Sequence, residues 1–71
     1  MPPGLDGRIA LGRAIRAEAQ RVVAERGRLA EAAAWAAARD PRLSSDERTF
    51  REAVAGRVSR MFALVGRERE H

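Results

Sequence analysis

Two long stretches of helical periodicity meet a break at Asp40-Pro41, and that break constrains the chain more than any other feature. Proline lacks the N–H that a helix interior uses and pushes the residue before it out of the helical region, so a helix arriving there ends at Arg39. The first stretch runs from Leu5 to Arg39 and the second from Asp46 to Glu70. Residues 1–4 form an extended lead-in and residues 40–45 the connection. So short a connection returns the second helix antiparallel to the first. The chain reads as one all-α domain, a two-helix hairpin.

Periodicity assigns the faces. At 100° per residue, Leu11, Ile15, Val22, Leu29, Ala33 and Ala36 fall in one stripe, widened by Ala19, Val23 and Ala30 to the arc of a core-facing helix. Arg26 falls inside that stripe, its stem on the core and its head in water. In the second stretch Phe50, Val54, Val58, Met61 and Val65 form a heptad-like seam with Phe62 at its margin, a short coiled-coil pattern. Ser44 and Glu47 have the spacing of a capping box, although Ser45 is an alternative cap. Gly27 interrupts the first stretch, where it can bend the helix or admit another backbone.

Such a hairpin has little to bury against itself. Fifteen Ala stand beside only twelve Leu, Ile and Val, and alanine favours helix while adding little buried area. A chain of 71 residues needs a further source of stability. Disulfides are excluded because Cys is absent, and the lone His71 supplies no zinc site. Association remains, with a second copy completing a four-helix bundle or with a larger complex that takes the chain as a subunit.

Candidate contact residues follow from the same helical wheel. Trp35 points away from the Leu/Ile/Val stripe, and Ala10, Ala17 and Ala24 precede it on that side at intervals of seven or more. A row of small residues ending in a large aromatic suits close helix–helix contact. The first helix, about 52 Å at 1.5 Å per residue, is longer than the second at about 37 Å, so its first ten residues overhang. Leu5 and Ile9, with Leu11, are uncovered there in a monomer. Folding back around residue 42 brings Arg16 close to Glu68.

The leading functional expectation is a protein-interaction or assembly subunit in the cytoplasm, without catalytic chemistry or cofactor. No positioned His is available, and two thin helices make no pocket for a general base. The alternative is a nucleic-acid-binding accessory protein. All fourteen basic residues are Arg and the net charge is +4. Arg8, Arg13, Arg57 and Arg60 lack a helical acidic neighbour and are the candidate phosphate contacts. A membrane role is disfavoured, since the longest uncharged apolar stretch, Ala32–Ala38, is far too short to span a bilayer.

The seam itself is testable. Val58→Asp places an unpaired charge among apolar side chains. The expected outcome is loss of the helical circular dichroism signal; a variant that melts at the wild-type temperature removes Val58 from the seam.

Overall fold

The computed structural model describes the backbone of residues 3–69 and the side chains of residues 7–66. The described elements are all helical: α1 over Pro3–Arg26, a single tight turn over Gly27–Leu29, α2 over Ala30–Ala38 and α3 over Ser45–Arg69. Pro3 and Gly4, expected in the lead-in, already belong to α1, where proline's fixed φ suits a first helical position. Residues 1–2, Glu70 and His71 lie outside the described residues. No described helix is long and apolar enough to cross a membrane.

The helix expected from Leu5 to Arg39 is not continuous. Arg26, the last residue of α1, has φ −107° and ψ −14°, and Gly27 follows with φ +57°. A left-handed residue just past the last turn is the usual way a helix closes, and glycine adopts it without the steric cost of a Cβ. The Ala30 N–H then bonds to the Gly27 carbonyl, and α2 starts in a new direction. Val22 and Ala37 line one cleft as a result. In an unbroken helix these residues would stand about 22 Å apart.

Ending the first helix at Gly27 resets its wheel. The buried face of α2 is Ala30, Ala34 and Ala38, spaced by four, while Leu29, assigned to the core stripe, is 65% exposed. Arg26, assigned to the same stripe, is exposed at the end of α1, where a positive charge suits the free carbonyls. Trp35, assigned to the opposite face, packs half-buried against the core. The face on which it continued the Ala10, Ala17 and Ala24 row does not exist past residue 26.

The second stop matches its chemistry. The Arg39 N–H reaches the Trp35 and Ala36 carbonyls at 3.2 Å each, a tightened last turn, and Pro41 follows. Asp40 accepts the Arg42 backbone N–H at 2.9 Å, holding the turn. Ser44 is the cap of α3: its Oγ accepts the Glu47 N–H at 3.2 Å, and its carbonyl accepts the Arg48 N–H at 2.9 Å.

α2 and α3 form a hairpin, and α1 packs against both. The contacts of α1 with α3 follow no single direction: Gly12, Ile15 and Arg16 share a groove with Gly56, Arg57 and Arg60, while Glu18, further along α1, reaches back to Arg51. Leu11 and Ile15 share a groove with Phe50 and Ala53, Glu18 reaches Arg51, and Val22 shares a cleft with Val54. The hairpin expected of the two helical stretches is formed by α2 and α3. Arg16 lies beside Ala53, Gly56 and Arg57, and its expected approach to Glu68 falls outside the described side chains.

The core where the three helices meet is built of Ala19, Ala30, Ala34, Val54, Ala55 and Val58. Alanines at the crossing let the backbones approach closely, and Val54 and Val58 fill what space remains. Each buried valine contributes roughly 1.5–3 kcal/mol and each alanine less, so the stabilising core is thin. Ile15, Val22, Val23, Trp35, Phe50, Met61 and Phe62 surround it, each partly buried.

Two glycines separate a required turn from an accidental one. A Cβ at Gly27 meets nothing within 4 Å, and the same is true at Gly56 inside α3. Contacts with the rest of the fold thus play no part in either substitution, and only the local backbone conformation differs. Gly27→Ala is expected to destabilise by about 1–2 kcal/mol, through a left-handed alanine. Gly56→Ala is expected to stabilise by up to about 1 kcal/mol, through helix propensity. Chemical denaturation reads both, and stabilisation by both substitutions would mean that α1 continues through residue 27.

Candidate partner-binding surface

The N-terminal half of α1 carries large apolar side chains that the core does not reach. Ile9 is 51% exposed and Leu11 52% exposed, as the overhang argument expects, while the side chain of Leu5 lies outside the described residues. Ala10, Ala17 and Ala24 are exposed along the same helix. Beside them, α1 and α3 diverge to leave an open groove of about 290 Å³ lined by Leu11, Ile15, Phe50 and Ala53, with Asp46 and Thr49 also on its wall. The far end of α3 is uncovered as well, with Leu64 55% and Val65 46% exposed.

Trp35 stands apart from this surface. Its indole Nε1 donates to Ser59 Oγ at 3.1 Å, tying α2 to α3, and its ring packs on the core. A half-buried Trp finds a polar partner for its N–H, and here that partner comes from the neighbouring helix. Of the six contact candidates, the structure therefore keeps Ile9, Ala10, Ala17 and Ala24 together on the exposed part of α1. It moves Trp35 into the hairpin. Ser59 carries no catalytic signal in the sequence, and its role was legible only once Gly27 was recognised as a helix end.

A charged cluster locks α1 to α3 beside the groove. Glu18 accepts from Arg21 Nε at 2.5 Å and Nη2 at 2.7 Å, and from Arg51 Nη1 at 2.6 Å across the helix interface. Arg21 also donates to Glu25 at 2.8 Å. Arg51 thus bridges α3 to α1. The hydrogen bonds from Arg21, then those from Arg51, outweigh partial burial and hold the Glu18 carboxyl well below its ordinary range, at about 2. Asp40 is lowered too, by the Arg42 side chain and then by its backbone N–H.

The four candidate phosphate contacts are divided by the fold. Arg57 and Arg60 of α3 line a second groove of about 450 Å³ together with Arg16 of α1. Arg8 is exposed on α1 one turn before Gly12, which lines the same groove, whereas Arg13 does not line it. The sequence reading paired Arg16 with Glu68 and so overlooked it. Among the described residues, no group of three or more His, Cys, Asp or Glu is placed to hold a metal ion. Compared with protein-family models, with curated proteins and with solved structures, the chain matches none.

The Glu18 cluster makes stability depend on acid. Its carboxyl binds a proton less tightly folded than unfolded, so the contribution is complete above about 4.5 and is lost as pH falls towards about 2. The melting temperature is expected to drop across that window, and Glu18→Gln should flatten the drop while lowering stability at neutral pH. Some acid sensitivity remains in the variant through Asp40. Parallel melting curves for the two proteins across the window would remove Glu18 from the interface.

Proposed function

We propose that this chain is a non-catalytic assembly module that works by burying the apolar side of α1 and the adjoining groove against another protein. The observation that carries the reading is the exposure of Leu11 in a groove that Ile15, Phe50 and Ala53 also line, with Ile9 exposed on the same helix. Isolated surface leucines are ordinary, but apolar side chains grouped on one concave face are the common mark of a binding surface. The thin core supports the same conclusion. Two valines and a handful of alanines leave a domain of this size marginal, and covering the apolar face adds the missing burial.

A second copy is the simplest occupant. Two-fold association would place one α1 against the other in an isologous contact, with the exposed Ala10, Ala17 and Ala24 allowing close approach. Trp35 has no part in this contact, which separates the proposal from one based on helical phase alone.

Light scattering behind a sizing column tests it. The wild-type chain is expected to elute as a dimer whose stability rises with concentration, and Ile9→Glu with Leu11→Glu to give a monomer of lower melting temperature. A monomeric wild type that keeps full helicity at low concentration, and is unaffected by the double substitution, contradicts the reading.

A further inference from the structure

We propose that the second groove between α1 and α3 binds the phosphodiester backbone of nucleic acid without regard to base sequence. It is a different surface from the apolar one and stands or falls independently of it. Arg16, Arg57 and Arg60 converge on it from two helices, alongside Gly12, Gly56 and Ala53. Added Cβ atoms at Gly12 and Gly56 would meet open space, so the glycines leave room there for a ligand chain.

The charge balance selects the ligand. No carboxylate lines the groove. Glu52 sits one turn before Gly56 and Asp46 lines the neighbouring apolar groove, and neither reaches the three guanidinium groups among the described ion pairs. The described ion pairs engage Arg21, Arg42 and Arg51 and include none of Arg16, Arg57 and Arg60, which line the same groove. Three like charges around one groove repel, and an anion with several oxygens relieves that repulsion while accepting paired guanidinium hydrogen bonds. Ile15 and Ala53 on the wall exclude some water and strengthen each such contact.

The spread of the charges favours a polymer over a single anion. Arg8 and Arg16 lie on one side of α1, two turns apart, which is about 12 Å along the helix. One strand of a duplex presents a phosphate every 3.4 Å of axis, so roughly three to four phosphates pass along that length. No Asn, Gln or aromatic side chain lines the groove to read a base edge or stack on a base, which makes the recognition one of backbone alone.

Fluorescence anisotropy with a labelled mixed-sequence DNA duplex, titrated over a salt series, tests the site. Replacing Arg16, Arg57 and Arg60 together by Gln is expected to weaken binding at least about tenfold at low salt and to reduce the log–log salt slope by about two to three. Replacing the exposed Arg26, Arg28 and Arg39 by Gln removes the same charge elsewhere and should leave most of the binding intact. Circular dichroism confirms that both variants stay helical, and the groove variant should, since it loses only mutual repulsion. Equal losses in the two variants, or no wild-type binding at low salt, overturn the proposal. Inorganic phosphate that binds as tightly as the duplex overturns it too, in favour of a small-anion site.

Discussion

The left-handed backbone at Gly27 decides how everything else in this molecule is arranged. With it, α2 turns away from the axis of α1, packs its alanine face on α3 and brings Trp35 to Ser59. Without it, α2 would continue along α1 and the alanines at 30, 34 and 38 would have no common partner. The three helices meet around a core of alanines and two valines because the turn places two short apolar faces against one longer one. The fold thus depends on one residue that needs no side chain, and on the close approach that small residues permit.

Much of this was legible in the chain. The stop at Asp40-Pro41, the cap at Ser44 and the Val54–Val58 seam follow from local chemistry that tertiary contacts reinforce. Ile9 and Leu11 are exposed as expected, but not for the expected reason, since α1 with 24 residues is no longer than α3 with 25. Phase past Gly27 was not readable. Glycine in a strongly helical context is compatible with a bend, a close approach or a full break, and alanine-rich flanks give no periodic signal to separate them. Taking the helix as continuous put Leu29 in the core and Trp35 on a partner, and both errors have that one cause. Arg16, read from the sequence as part of an ion pair at the chain end, lines the arginine groove.

The two candidate surfaces share a wall. Ile15 and Ala53 line both the apolar groove beside Leu11 and Phe50 and the arginine groove beside Gly12 and Gly56. Both lie along the α1–α3 contact. The Glu18 cluster keeps that contact in register. It supplies a directional bond between the same two helices beside the buried Ala19.

The break at Gly27 is tested most directly by a distance. Spin labels at Ala10 and Ala36, both exposed, span the turn, and pulsed dipolar spectroscopy reads the separation between them. A continuous helix would place those residues about 39 Å apart. The account predicts a single narrow distribution centred at least about 10 Å shorter, since α2 turns back towards α1 and no longer extends it. A distribution centred near the full helical length would show that α1 runs through residue 27, and the arrangement of core, grooves and Trp35 described above would not stand.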